Sequence, residues 1–381
     1  MQVRNRLLEL RKQKGLSAAL LARQAGVSRQ TIYAIETGAY IPNTAVSLRL
    51  AQALETAVEQ IFSIEVAKSP EDTLQTAELL ATEKVHVGQP MRLCRVGKRL
   101  VAVSAPPLPS TLPLADGTWV AGMGRKKVKI KCVAPGSDLP ERLLLAGCDP
   151  AGSILARHLE RHAGIQLVLV NCSSTQALQW VASGKVHLAG SHLGERMTEA
   201  AKQRLLKTGA PGRGYEVVRF AIWEQGLVLA RGNPKGIRGI GDLARKDVKL
   251  VNREKGAGSR FLLDRLLKEQ EITAARISGY DRIAFGHISA AWHVHAGIAD
   301  CCVATRAAAR AFGLEFLPLI TERYDLIIPE SQREMKPVQA LRDVLNRAAF
   351  QREVEAIADY DMKDAGKTVS VKPLPQALHR P

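Results

Sequence analysis

The chain is 381 residues long, 46% hydrophobic and 24% charged, which excludes wholesale disorder and exceeds one ordinary core, so two or three domains are expected. Its 54 Lys and Arg against 37 Asp and Glu give a formal net charge of +17, a field that draws polyanions such as nucleic acid or an anionic membrane surface. No run of about 18 apolar residues occurs, and the start MQVRNRLLELRKQKG lacks a signal-peptide core, so a soluble cytoplasmic protein with no membrane partner is expected.

Residues 1–63 carry the pattern of short helices, expected near 2–14, 17–24, 28–35, 44–54 and 56–63, with Gly15, Gly26, Gly38 and Pro42 between them. Ser17 and Ser28 each precede an apolar periodic run, where a side-chain oxygen is needed as N-cap. In GVSRQTIYAIETG, residues 26–38, an apolar stripe of Val27, Ile32, Ala34 and Ile35 alternates with Ser28, Arg29, Gln30, Thr31 and Tyr33. A helix that packs on one side and offers hydrogen-bonding groups on the other is built to touch something polar.

Residues 64–83 are acidic and helical in pattern, which predicts a helical connector. After it, 85–96, 98–105, 118–122 and 127–133 alternate in short β-prone stretches separated by GK, the Pro-rich APPLPSTLP and ADG, predicting a small basic β-rich linker module over 84–140. Residues 84–134 hold 10 basic and 1 acidic residue, against 8 and 4 in residues 1–63, so this module is the more basic. Its RKKVKIK run at 125–131 reads either as a solvated strand face or as an extension of a phosphate contact.

From 141 to 381 the pattern becomes strand, glycine-bearing loop, helix, repeated, which predicts a mostly parallel α/β sheet. Three loops bring small and hydroxyl residues to helix starts: Asp149 with Gly152 and Ser153; Ser173, Ser174 and Thr175; and Asn252 and Arg253 with Ser259 and Arg260. Helix N-termini attract anions, and ligands of such sheets sit beyond the carboxyl ends of the strands. Each residue has a structural alternative: Ser173–Thr175 and Asp149 as caps, Arg253 and Arg260 as surface charges. Trp223 and Trp292 read as core. The six cysteines lack C-x-x-C spacing and nearby paired histidines, so neither a metal site nor a cofactor is signalled. There is no nucleophile elbow or phosphate-binding GxxxxGK[ST] loop, and no enzyme is expected.

With Leu21, Ala22, Gly26, Val27, Ile32, Ile35, Glu36, Gly38, Pro42 and Leu50 in register, residues 3–62 resemble the Cro/repressor-like (XRE-type) helix-turn-helix family. That resemblance implies double-stranded DNA as partner, a homodimer, and a second motif helix in the major groove. Ser28, Arg29, Gln30, Thr31 and Tyr33 are then base or phosphate contacts, with Thr37, Asn43 and Thr44 on phosphates. Where the family usually carries a Gln opening the preceding helix, this chain has Ala18 and Ala19.

Through LAGCDP, NCSSTQAL, HLAGSHL, EQGLVLARGNP, LVNREKGAGSRFLLD and ERYDLIIP, residues 141–362 are similar to the periplasmic-binding-protein-like ligand domain fused to bacterial regulators, distantly related to molybdate-binding proteins. The resemblance implies a two-lobed type II substrate-binding-protein-like domain, with the chain crossing near 224–234 and returning near 300. It places Asp149, Ser173, Ser174, Thr175, Asn252, Arg253, Ser259, Arg260, His287 and Tyr324 around a cleft. Together the two resemblances imply a ligand-responsive transcriptional regulator whose effector is molybdate or a similar oxyanion, or else a small organic metabolite. The alternative is a cytosolic binding protein whose N-terminal domain only mediates assembly.

Overall fold

The computed structural model describes residues 3–64, 74–105, 112–122, 127–133, 139–192 and 214–371. The chain divides into two compact units, Met1–Glu71 and Asp72–Pro381.

In the first unit, α1 (Leu7–Gln13), α2 (Ala18–Ala25), α3 (Arg29–Glu36), α4 (Thr44–Ala53) and α5 (Val58–Ile61) enclose a core built on Leu7, Leu21, Ile32, Ile35, Leu50 and Leu54. Each helix start is locally specified: Ser17, Ser28 and Asn43 accept the backbone N–H of Leu20, Thr31 and Val46. Gly26 closes α2 at φ +64°, and a Cβ there would lie 2.8 Å from Arg49 Nη1, so the turn into α3 calls for glycine. The helices expected over 2–14 and 56–63 are corrected at their outer ends. Val3–Asn5 (β1) and Phe62–Ile64 (β2) are strands that pair antiparallel, because two chain ends lying side by side satisfy their backbone groups more fully as a ladder.

In the second unit, β3 (Leu74–Leu80), β4 (Pro90–Val96), β5 (Arg99–Ser104), β6 (Gly117–Gly122) and β7 (Lys127–Cys132) close into a barrel in the order β3-β5-β4-β6-β7, with β7 returning to pair with β3. The expected helical connector over 64–83 is therefore corrected for Leu74–Leu80, which is a strand burying Ala77 and Leu80. Its acidic composition hid a β segment, and the barrel needs that strand to cover the edge of β7. Lys127, Lys129 and Lys131 face outward while Val128, Ile130 and Cys132 face in, so the described part of the basic run is an outer strand face. Residues 65–73 of the connector, 106–111 of the Pro-rich loop, and Arg125 and Lys126 lie outside the described residues.

The remainder is one mixed sheet. Strands β8 (Arg142–Gly147), β9 (Gln166–Asn171) and β10 (Leu188–Ser191) pair in parallel and form a first lobe with α6 (Gly152–Ala163) and α7 (Ser174–Ala182). Strands β12 (Leu250–Arg253), β13 (Ile283–Ala284) and β14 (Cys301–Thr305), also parallel, form a second lobe with α8 (Gly258–Glu269) and α9 (His287–His295). Two long antiparallel strands, β11 (Tyr215–Leu229) and β15 (Glu315–Pro329), run through both. Asp325–Ile327 of β15 pair with β10, and Gln225–Leu229 of β11 pair with β14. Register shifts between Arg219 and Ala221 and between Gln225 and Gly226 bend this ribbon where it passes from lobe to lobe. The crossing expected near 224–234 overlaps the end of β11, which pairs with the second lobe from Gln225 on, whereas the return expected near 300 is corrected to β15, at 315–329. The long strands carry core residues of both lobes, so no break in apolar pattern marks the boundary. Among the described residues, no helix is long and apolar enough to cross a membrane.

His187, just before β10, is buried and its Nδ1 accepts the Leu144 N–H at 2.9 Å. Burial holds its pKa down at about 4. A depressed histidine leaves the unfolded chain binding more protons, so stability present above the ordinary pKa of 6.5 is lost as pH falls through about 4. That window is worth about 3 kcal/mol. Urea midpoints should fall between pH 6.5 and 4, and His187→Gln should flatten this part of the profile. An unchanged profile in the variant would refute the assignment.

Candidate functional site

Two places gather the chemistry. On α3, capping fixes the helix start and Ile32 and Ile35 bury the opposite face, which leaves Ser28, Arg29, Gln30 and Tyr33 exposed and Thr31 half-buried. Ser28 Oγ accepts the Thr31 N–H at 3.0 Å and lies 2.8 Å from Thr31 Oγ1, so its hydroxyl serves the cap. Arg29 donates from Nε (3.2 Å) and Nη2 (2.9 Å) to Tyr33 Oη, one turn on, and its guanidinium lies 5.4 Å from the Tyr33 ring centroid. This pair pre-orients a planar, bidentate cation on the outer face. Thr37 Oγ1 donates back to the Tyr33 carbonyl, and Asn43 Oδ1 caps α4 with Thr44 exposed beside it.

The second place is the cleft between the lobes, where the carboxyl ends of β8, β9, β12 and β13 and the helix starts after them come together. Thr175 Oγ1 donates to the Gly256 carbonyl (3.2 Å) and Asn171 Nδ2 to the Phe285 carbonyl (3.3 Å), so the lobes touch directly. Glycine permits this closeness: a Cβ on Gly258 would lie 2.4 Å from His192 Cε1, and one on Gly190 would run into the Tyr324 ring.

Several of the expected residues are committed to structure. Ser173 caps α7 by accepting the Gln176 N–H, and Ser174 Oγ accepts the His192 N–H at 3.3 Å. Asn252 bridges to the Tyr280 carbonyl, and Arg260 donates to the Arg253 carbonyl and lies over the Tyr280 ring. Asp149 Oδ1 accepts from Ala151 N at 2.6 Å and Tyr360 Oη at 3.3 Å, while Oδ2 is buried without a hydrogen-bond partner. Burial pushes this carboxyl up to about 7. Trp223 is core as expected, but Trp292 is 37% exposed, because it lies on the outer face of α9, away from Ala290 and Ala291.

Arg253 is fully enclosed and paired with Glu254 at 2.9 Å. Burial works against its charge, and Glu254 with Cys148 more than restores it. His287 is 1% exposed, and neither ring nitrogen has a hydrogen-bond partner. Burial, then Arg253 and His192, hold it well below the usual histidine range, so it is neutral at pH 7.

Sequence reasoning missed the groups around His287. His192 Nε2 lies 3.7 Å from Cys148 Sγ, and His192 Nδ1 donates to Glu322 Oε2 at 3.0 Å. Burial opposes the His192 charge, but the bonds to Cys148 and Glu322 outweigh it and raise its pKa to about 9. Gln225 Nε2 also donates to Glu322, and Ser259 Oγ donates to Gln225 Oε1 at 2.5 Å, so the ribbon between the lobes anchors the network. Trp223 packs between His192 and His287, with ring centroids 5.1 and 5.4 Å away. The spacing of the cysteines signalled no metal site; the fold nevertheless brings Cys148, His192 and His287 together. The sequence cue was a histidine at the end of HLAGSH, 44 residues beyond the cysteine of CDP.

Comparison with known proteins agrees with this division. A helix-turn-helix family matches residues 7–61, and the family described as the PBP superfamily domain matches residues 156–346, half of the chain. An uncharacterized protein of Bacillus subtilis, YvgK, is 29% identical over 227 residues, covering 60% of this chain and 73% of its own. An uncharacterized HTH-type transcriptional regulator of Methanothermobacter thermautotrophicus is 41% identical over 64 residues, 16% of this chain and 93% of its own. The sulfate-binding protein SubI of Mycobacterium tuberculosis superposes with a TM-score of 0.43 at 17% identity, over 58% of this chain and 86% of that one. With a two-lobed α/β domain behind an XRE-type helix-turn-helix, the chain belongs to the family of the PBP superfamily domain.

Proposed function

We propose that the protein is a cytoplasmic, homodimeric, ligand-responsive transcription regulator that acts by binding and not by catalysis. Its α3 meets base edges of operator DNA, and a small ligand in the cleft changes how well it does so. The observation that carries this reading is the pairing, in one chain, of an outward Arg29–Tyr33 face with a two-lobed cleft whose buried His287 nitrogens and Asp149 Oδ2 have no protein partner. Unsatisfied buried polar atoms are expensive, and a ligand that satisfies them binds the closed lobes better than the open ones. Coupling of that kind is typically about 1–3 kcal/mol.

Molybdate or a similar oxyanion is supported by the helix starts and by Arg253, and opposed by Glu254 and Glu322 beside them. A small organic metabolite has to fit a cleft in which Gly258 already touches His192.

Two-fold dimers of this type read half-sites about 34 Å apart. Arg29→Ala is expected to lower affinity by about 1–3 kcal/mol at one base-pair position, measured by fluorescence anisotropy on duplexes of the protein's own promoter region with each position varied. Equal weakening on every sequence would assign Arg29 to phosphate, and no preference of the wild type for any fragment over random duplex would overturn the regulator reading.

A further inference from the structure

We infer that the cleft holds a divalent, thiophilic transition-metal cation, with zinc as the reference ion, ligated by Cys148, His192 and His287. This rests on the reading of the cleft as the sensing site and names the class of ligand it senses.

The donor set is the first argument. One ligand atom from each of these residues lies within 4.8 Å of the others, and the three side chains are 6%, 1% and 1% exposed. Zinc takes thiolate sulfur at about 2.3 Å and imidazole nitrogen at about 2.0 Å, so a tetrahedral centre separates sulfur from nitrogen by about 3.6 Å. Cys148 Sγ and His192 Nε2 are 3.7 Å apart. A fully buried His287 whose two ring nitrogens have no hydrogen-bond partner is an ordinary liability in a core and a ready ligand in a metal site.

The surroundings are the second. Glu322 accepts from His192 Nδ1, which aims Nε2 at Cys148, and Gln225 holds Glu322 while Ser259 holds Gln225. A carboxylate behind a ligating histidine is the usual means of fixing tautomer and ring orientation. Charge agrees as well: Arg253 is offset by Glu254, and Glu322 adds a further carboxylate, which suits a cation and opposes an oxyanion. Space favours a single ion, since a Cβ on Gly258 already falls 2.4 Å from His192 Cε1.

Position supplies the mechanism. Cys148 follows β8 and His192 follows β10 in the first lobe, whereas His287 opens α9 in the second. An ion bound to all three requires closed lobes, which is the unequal affinity for two states that a switch needs.

The test uses the full chain stripped with a chelator and titrated with Co²⁺, then Zn²⁺. One ion per chain is expected, with thiolate-to-cobalt absorption that zinc displaces and Cys148→Ser abolishes. His287→Gln and Glu322→Gln should each weaken zinc binding by about 10–100-fold or more. Zinc should raise the melting temperature of the wild type and not of Cys148→Ser or His287→Gln, whose melting without metal reports whether they fold. No cobalt uptake, or uptake unchanged in both ligand variants, overturns the site; rapid alkylation of Cys148 that zinc does not slow assigns Cys148 and His192 to a thiol–imidazole pair instead. Promoter affinity measured alongside separates the two claims. Zinc binding with unaltered DNA affinity upholds the metal site and overturns sensing through it. Molybdate altering DNA affinity while zinc fails to bind overturns the metal site and upholds the regulator.

Discussion

Glu36→Ala is expected to destabilise the N-terminal unit by about 3–5 kcal/mol, because removing one partner of a buried ion pair strands the other charge. Arg11 reaches from α1 to Glu36 on α3 with Nε at 2.5 Å and Nη2 at 3.0 Å, and the two side chains are only 11% and 4% exposed. The same guanidinium donates from Nη1 to the Leu16 carbonyl, so its geometry is fixed from two directions. A small domain has about 5–15 kcal/mol of total stability, which makes this loss enough to separate its melting from that of the rest of the chain. Differential scanning calorimetry should show an early transition in the variant, partly restored in Glu36→Gln, which keeps an acceptor without the charge. A shift under about 1 kcal/mol would show that Arg11 finds water when its partner goes.

Asp116→Ala should be comparably severe in the second unit, at about 3–5 kcal/mol. Asp116 precedes β6 of the barrel and receives Arg142 of β8 in a fork, Nη1 to Oδ2 at 2.7 Å and Nη2 to Oδ1 at 2.8 Å. Arg142 also donates to the Leu93 carbonyl at 2.5 Å, and Asp116 Oδ2 accepts the Leu93 N–H at 2.7 Å, so one pair ties the barrel to the first lobe. The Arg142 side chain is 5% exposed and, without Asp116, has no other carboxylate among its hydrogen-bond partners. Burial pushes the Asp116 carboxyl up, but the Arg142 and Leu93 hydrogen bonds win and hold it below 3.8. A depressed carboxylate stabilises above its ordinary pKa, and the effect fades as pH falls through the lower folded value. The wild type should therefore lose stability below pH 3.8, and Asp116→Asn should lose less over the same range, read from urea midpoints. Equal acid sensitivity in both would place the titrating group elsewhere.

How much of this was legible depended on the distance over which each feature is decided. The Ser28 cap, the Gly26 turn and the apolar stripe of Ile32 and Ile35 act within one or two helical turns, so GVSRQTIYAIETG announced both its helix and its exposed row. The loops at Ser173 and Gly258 were placed correctly at helix starts for the same reason, whereas Asn252 lies within β12. Strand Leu74–Leu80 was missed because it lies within a longer acidic stretch and is a strand only when β5 and β7 flank it.

Local pattern and composition thus determined the helix-turn-helix, the strand-loop-helix alternation and a polyanion-seeking charge, since capping, periodicity and net charge need no knowledge of the fold. Tertiary structure alone decided that Cys148 and His192, 44 residues apart, would face each other, and that His287 would arrive from the opposite lobe. The ribbon of β11 and β15 sets that meeting by its register and its bulges, and register is a property of paired strands that no single strand carries.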